Sequence, residues 1–315
     1  MDAIQIKSLT KIYKKTFFSS IKAVDNLTLN VRKGEIFGFL GPNGAGKTTT
    51  LKMLTGIIFP TAGTIHILDK DVSDPTVKKR IGFLPETPNF YNHLTGSELL
   101  DFYAELFHLS RQYIRDRKKK ILEMVGLSDA ANKKIGSYSK GMLQRIGIAQ
   151  ALLNDPEIIL LDEPLAGLDP IGRKDIKETI YELKKQGKTI FFSTHILPDI
   201  EMVCDRVAIL ISGRLAVVDE LHNLLGKKFQ TFEIVFRLPD VDCKKVFPDK
   251  ECSFDKGLFT VLSEGEEDSE VIQKKIWENG GKVLQVVPQV KTLEEYFTEV
   301  VGKENESQSN SNKHI

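Results

Sequence analysis

Gly41-Pro42-Asn43-Gly44-Ala45-Gly46-Lys47-Thr48 has the Gly-x-x-x-x-Gly-Lys-Thr spacing of a phosphate-binding loop, and Thr49 follows it directly. The apolar run Ile36 to Leu40 precedes it and a helical stretch, Thr49 to Leu54, follows, which is the strand-loop-helix setting the chemistry requires. Glycines let backbone N–H groups curl round phosphate oxygens, Lys47 reaches the β- and γ-phosphates, the Thr48 hydroxyl can ligate Mg²⁺, and a helix start favours an anion. A second segment, Ile158-Ile159-Leu160-Leu161, leads straight into Asp162-Glu163-Pro164. Two carboxylates then stand at the carboxyl end of a buried strand, where open α/β sheets bind ligands. Asp162 suits Mg²⁺, and Glu163 suits the polarisation of a water that attacks a terminal phosphate. A third segment, Tyr138-Ser139-Lys140-Gly141-Met142-Leu143-Gln144-Arg145, places a Ser cap before a helical stretch running to Leu153. Ser139 and the backbone to Gly141 form a second candidate anion grip, although a Ser cap beside a Gly is also ordinary helix punctuation.

In order and spacing these three segments resemble the ABC ATPases, over about Ile4 to Leu221. The resemblance implies ATP and Mg²⁺ as cofactors, with Gly41, Asn43, Gly44, Ala45, Gly46, Lys47, Thr48 and Thr49 on the phosphates. It implies a second ATPase subunit in a head-to-tail homo- or heterodimer, in which Ser139 and Gly141 of one copy close over ATP held by the other. Tyr13 is similar to the aromatic that stacks on adenine, with Phe17 and Phe18 as rivals. Asp169, in Ala166-Gly167-Leu168-Asp169, resembles the loop linking the two sites, and His195, after Phe191-Phe192-Ser193-Thr194, resembles the switch histidine at the γ-phosphate. Lys47, Glu163 and His195 form the implied catalytic set; Thr48, Asp162 and Glu86 form the implied metal set. Two positions depart from the common pattern. Glu86 stands where the family usually has Gln, adding a carboxylate near Asp162 and Glu163, and the serine-glycine motif reads Ser-Lys-Gly-Met instead of Ser-Gly-Gly-Gln. With Thr292-Leu293-Glu294-Glu295-Tyr296-Phe297 near the end of the chain, both variants resemble the branch that exports drugs, antibiotics and polysaccharides. That resemblance implies a transmembrane permease as a separate partner and a cytoplasmic protein held peripherally on the inner face of the cell membrane. Two rival readings are an ABC-type ATPase acting on ribosomes or DNA, and a nucleotide-sensing regulatory module. The first lacks a second cassette or long coiled-coil insertion here; intact Asp162, Glu163 and His195 speak against the second.

These residues need a frame, and the pattern supplies an α/β one. Glu35–Leu40, Arg80–Leu84, Glu157–Leu161, Thr189–Ser193 and Val207–Ile211 read as strands separated by helical stretches, as parallel βαβ construction requires. Several lack hydrophobic/polar alternation, which fits coverage on both faces. The expected fold is a P-loop NTPase core of ABC ATPase type with antiparallel β and helical subdomains, plus a small C-terminal α+β domain. Residues 1–225 form the expected ATPase domain, with a helical subdomain at about 87–155. There Thr95-Gly96-Ser97-Glu98 is a capping box and a helix from Arg111 to Val125 is closed by Gly126. Residues 226–302 form the expected accessory domain, with strands near Thr231–Arg237, Leu258–Leu262 and Val283–Val287 and helices near Asp268–Glu278 and Leu293–Val301. The polar tail, 303–315, is expected to be disordered.

Composition narrows the partners. Among 315 residues, 41% are hydrophobic and the formal net charge is +1, so the whole chain exerts no field that would draw it to nucleic acid, and none is expected as a partner. Met1-Asp2 opens no secretory signal, and the apolar runs are far shorter than the roughly 20 residues of a membrane helix. Cys204, Cys243 and Cys252 are odd in number and widely spaced, which predicts reduced thiols and neither a disulfide framework nor a zinc site. The run Lys118-Lys119-Lys120 reads as a solvated helix face.

Overall fold

The computed structural model describes residues 1–16, 19–226, 231–239, 243–289 and 293–298. Phe17, Phe18, Thr292, the last turn of the helix expected to Val301 and the tail 303–315 lie outside the described residues. Contacts divide the chain after Leu221 into two compact units.

The first unit begins with β1 (Asp2–Thr16), β2 (Ser19–Arg32) and β3 (Ile36–Leu40), then α1 (Lys47–Leu54), β4 (Ala62–Ile67), β5 (Lys70–Asp71), α2 (Pro75–Lys78) and β6 (Ile81–Leu84). A helical stretch follows, α3 (Gly96–Leu106), α4 (Arg111–Met124) and α5 (Lys140–Ala151). The chain then returns through β7 (Ile158–Asp162), α6 (Pro170–Lys185), β8 (Thr189–Thr194), α7 (Leu197–Val203), β9 (Arg206–Ile211) and β10 (Arg214–Glu220); α8 (Leu221–Gly226) begins at the last residue before the division and otherwise belongs to the second unit.

Two sheets result. One is antiparallel, in the order β2-β1-β4-β5; the other runs β10-β9-β3-β8-β7-β6, parallel from β9 to β6 with β10 antiparallel at its edge. Every residue of β3, β7, β8 and β9 is buried, which is why their apolar stretches show no hydrophobic/polar alternation. A single core cluster joins both sheets, running from Ile4, Ile6 and Ile65 through Leu51 and Met53 of α1 to Phe39 and Phe191. The capping box forms as expected: Glu98 N donates to Thr95 Oγ1 at 3.1 Å and Thr95 N to Glu98 Oε2 at 2.8 Å. Of the three-lysine run, Lys118 is tied to Asp101 at 2.7 Å.

The second unit holds β11 (Thr231–Arg237), α9 (Cys243–Val246), β12 (Cys252–Asp255), β13 (Leu258–Glu264), α10 (Glu266–Glu278) and β14 (Lys282–Gln289), followed by helical residues 293–298. Its sheet is antiparallel in the order β12-β13-β11-β14, and Ile234, Phe236, Val261, Ile272 and Ile276 form a core of its own. One expectation fails in this unit. Cys243 and Cys252 are joined in a disulfide, and only Cys204 is a free, buried thiol. The start of α9 and the edge strand β12 are separated by 9 residues, enough for a turn that brings the two sulfurs together, and that juxtaposition leaves no mark in cysteine spacing.

Candidate functional site

The loop after β3 is shaped by close approaches of backbone. A Cβ at Gly41 would lie 2.3 Å from the Leu210 carbonyl oxygen, and one at Gly46 would lie 2.3 Å from that of Ala23 at a φ of 104°. β9 and β2 thus press the loop into a tight curl that only glycine permits at these two points. Gly46 caps α1 without a side chain, so the first-turn amides of Lys47, Thr48 and Thr49 have no carbonyl partner within the helix and point outward as an anion-binding edge. Lys47 folds back over the loop, donating from Nζ to the carbonyls of Gly41 at 2.7 Å and Pro42 at 3.2 Å.

Opposite stands the acidic end of β7. Pairing of Asp162 with Ser193 sets the ends of β7 and β8 side by side. Ser193 Oγ donates to Asp162 Oδ1 at 2.6 Å, and the Thr48 hydroxyl bonds the same carboxylate. Burial pushes the Asp162 carboxyl above its ordinary pKa; the bonds from Ser193 and Thr48 oppose that, while the neighbouring Glu163 charge reinforces it. Glu163 takes a left-handed backbone (φ 48°), unusual for a residue with a side chain. Its amide is fixed by Ser193, donating to the carbonyl at 3.1 Å and to the hydroxyl at 3.2 Å. Its carboxylate is held from two sides, Oε1 3.4 Å from Lys47 Nζ and Oε2 2.9 Å from His195 Nδ1. A strained backbone held by side-chain bonds is the arrangement expected where a carboxylate must be aimed.

Asn43, Gly44, Gly46, Lys47, Thr48, Thr49, Glu86 and Glu163, with Ala23, line one cavity of about 300 Å³. The structure therefore brings together most of the residues singled out in the sequence, with Asp162 and His195 bonded to members of that lining. Gly41 lies at the base of the loop, and Ala45 is buried in its turn. Four others, in three segments, are placed apart. Tyr13 is 40% exposed and pairs with Ile21, two residues from Ala23, with the Lys11 ammonium 5.3 Å from its ring centroid. Ser139 caps α5, accepting from Met142 N at 3.3 Å, and Gly141 faces Leu168. Asp169 caps α6, accepting from Gly172 N at 2.8 Å. None of these three segments lines the cavity in this copy of the chain.

Sequence reasoning assigned no role to Ser193 or Gln144. Ser193 braces the Asp162 carboxylate and the Glu163 amide, and Gln144 Nε2 reaches the Glu163 carbonyl at 3.5 Å. The only signal for Ser193 was a polar residue ending an apolar strand beside Asp-Glu, which pairing register, not spacing, brings into line. The donor set suits a magnesium nucleotide: Thr48, Asp162 and Glu86 offer hard oxygens, and Lys47 with the helix-start amides suits phosphate.

Comparison with known proteins agrees with this geometry. Residues 24–166 match the family model described as ABC transporter. The bacitracin transport ATP-binding protein BcrA of Bacillus licheniformis is 38% identical over 308 residues, 95% of this chain and 97% of that one. The chain belongs to the ABC transporter ATP-binding proteins. The fluoroquinolones export ATP-binding protein of Mycobacterium tuberculosis strain H37Rv is 41% identical over 225 residues, 71% of this chain and 72% of that one. Among solved structures, a dimeric ATP-binding cassette in a post-hydrolysis state with ADP and Pi has a TM-score of 0.64 at 30% identity, covering 69% of this chain and 98% of that one. As a member of this family the chain is a nucleotide-binding ATPase subunit of a transporter, and no helix among its described residues is long and apolar enough to cross a membrane.

Proposed function

We propose that this chain hydrolyses Mg²⁺-ATP to drive export through a separate transmembrane permease, working as a head-to-tail pair with a second ATPase subunit on the inner face of the cell membrane. The observation that carries the reading is the 3.4 Å approach of Lys47 to Glu163, which sets the phosphate loop and the acidic strand end on one cavity. Lys47 and the α1 amides hold the β- and γ-phosphates. Thr48 and Asp162, with Glu86, hold the metal, which when bound neutralises charge on the phosphate oxygens. Glu163 accepts a proton from the attacking water, and His195 Nδ1 fixes the direction of its carboxylate. Tyr13 stacks on adenine, and Ser139, Gly141 and Asp169 serve the nucleotide of the other subunit. The dimeric cassette with 30% identity and the names of the bacitracin and fluoroquinolone relatives support pairing and export respectively.

Permease docking has a surface to use. Tyr91 and Phe102 meet edge-on at 5.8 Å with Tyr103 beyond, Tyr91 and Phe102 both exposed, and Ile57, Phe83, Pro85 and Phe107 line a cavity of about 320 Å³ next in sequence to Glu86. Exposed aromatics clustered in this way mark a protein-binding face.

The test is Glu163→Gln. It preserves shape and removes the base, so turnover is expected to fall about 10²-fold or more, with ATP affinity retained and an ATP-dependent dimer accumulating on gel filtration. Near-normal phosphate release from the purified variant contradicts the role given to Glu163.

A further inference from the structure

Asp199 is 1% exposed, yet neither of its carboxylate oxygens accepts a hydrogen bond from any described residue. Its compensation is purely one of charge: Lys177 Nζ lies 3.0 Å and Arg173 Nη1 3.7 Å from Oδ1, both outside hydrogen-bond geometry. Burying an ion cluster is a poor route to stability, because desolvation consumes most of the attraction and a well-packed apolar replacement does as well or better. A cluster of this kind therefore calls for a role in position.

Its place in the chain supplies one. Asp199 lies on α7 four residues after His195, and Arg173 lies on α6 four residues after Asp169. The strands feeding the two helices, β7 and β8, are hydrogen-bonded neighbours ending at Asp162 and Ser193. The chain leaves this paired end through two loops carrying Glu163, Asp169 and His195, and the loops are clamped together again where Asp199 meets Arg173 and Lys177. Met202 closes the next turn of α7 on α6: its sulfur lies 3.1 Å from Lys177 Nζ, and its carbonyl accepts from the Tyr181 hydroxyl.

We propose that Asp199 is a positioning residue for ATP hydrolysis: its charge, held by Lys177 and Arg173, locks the helix that follows His195 against the helix capped by Asp169, and so keeps His195 Nδ1 on the Glu163 carboxylate. Asp199 acts through these residues and touches no substrate. The inference rests on the roles proposed above for Glu163 and His195. It goes beyond them in making a charge buried outside the cavity set the turnover rate while leaving nucleotide affinity alone.

The experiment compares the full chain with Asp199→Asn, Lys177→Met and the double variant, measuring kcat and KM for ATP, ATP affinity by calorimetry and melting temperature, with assays well below every melt. Each single variant is expected to lose about tenfold or more in kcat while KM and affinity stay within about twofold, and the double variant to be no slower than the worse single one, as one interaction removed twice. A kcat for Asp199→Asn within about twofold of the parent overturns the proposal, and so does a fall in kcat accompanied by a raised KM and weakened affinity that tracks lost melting temperature. Should Asp199→Asn fail to fold, Arg173→Gln breaks the same cluster from its 31% exposed rim and is judged by the same split between kcat and affinity. Glu163→Gln in the same assay separates the two levels of argument. If that variant is inactive and Asp199→Asn is not, only the positioning role falls; if Glu163→Gln is active, the reading beneath it falls first.

Discussion

At the scale of one residue, Asp162 offers a test of the metal role proposed for it. Burial raises its carboxyl above the ordinary value, so the folded protein favours the proton and the ionised form works against folding. For an acid shifted in this direction, stability declines as pH rises from the unfolded-state value to the folded one, and the full cost is present above the folded value. Asp162→Asn keeps an oxygen to accept from Ser193 and Thr48 and removes the charge. Its nucleotide-free melting temperature at pH 7 is expected to rise by a few degrees, while the Mg²⁺-dependent part of the ATP-induced stabilisation disappears. A melt lower than the parent's at pH 7, or Mg²⁺-ATP stabilisation of full size, contradicts the account. The identities of Asp162 and its neighbours were legible in the sequence because loop, strand and carboxylates are contiguous there. Ser193, which holds the Asp162 carboxylate and the Glu163 amide, was not, since it arrives from another strand through pairing register.

Among the elements, Asp155 joins three that are far apart in sequence. Following α5, it receives Arg117 of α4 at 3.0 Å and Lys188, beyond α6, at 2.7 Å. Desolvation alone would raise its pKa, but Lys188 and Arg117 outweigh it and hold the carboxyl below its ordinary range. With the folded value depressed, the stabilisation is complete above the unfolded carboxylate pKa and vanishes as pH falls through the folded one. Asp155→Asn keeps a residue that tolerates the left-handed backbone found here (φ 53°) and deletes only the charge. Because Asp155 is half exposed, the loss at pH 7 is expected to stay below about 1 kcal/mol and to shrink toward zero in melts taken at progressively lower pH. A deficit that is constant down to strongly acid pH points to lost packing instead. The parallel strands and the capping box of α3 could be read from sequence because burial on both faces and a local hydrogen-bond pair leave direct patterns. The long hairpin of β1 and β2 was less visible. Its register shifts at five places, so buried Ala3, Ile4, Ile6 and Leu9 break the period-2 alternation by which a half-buried strand is recognised.

For the whole molecule, the decisive feature is that each unit carries its own core and its own linkage to solution conditions. The cavity proposed for nucleotide is lined entirely by residues of the first unit, and the Cys243–Cys252 bridge lies entirely in the second. Ligand binding stabilises only what folds to form the site, by about 2.7 kcal/mol at a hundredfold excess over Kd. A disulfide closing so short a loop contributes on the order of 2–3 kcal/mol by restricting the unfolded chain. In a domain the size of the second unit, that corresponds to a shift of about 10 °C or more. Calorimetry of the full chain is therefore expected to resolve two transitions, one raised by Mg²⁺-ATP in the Glu163→Gln background and indifferent to dithiothreitol, the other lowered by dithiothreitol and indifferent to nucleotide. Cys243→Ala should reproduce the reduced melt of the second transition under oxidising conditions. A single cooperative transition that moves with both reagents would falsify the independence of the two cores, and would mean that the C-terminal unit senses nucleotide through the fold instead of standing beside it as a separately stable module.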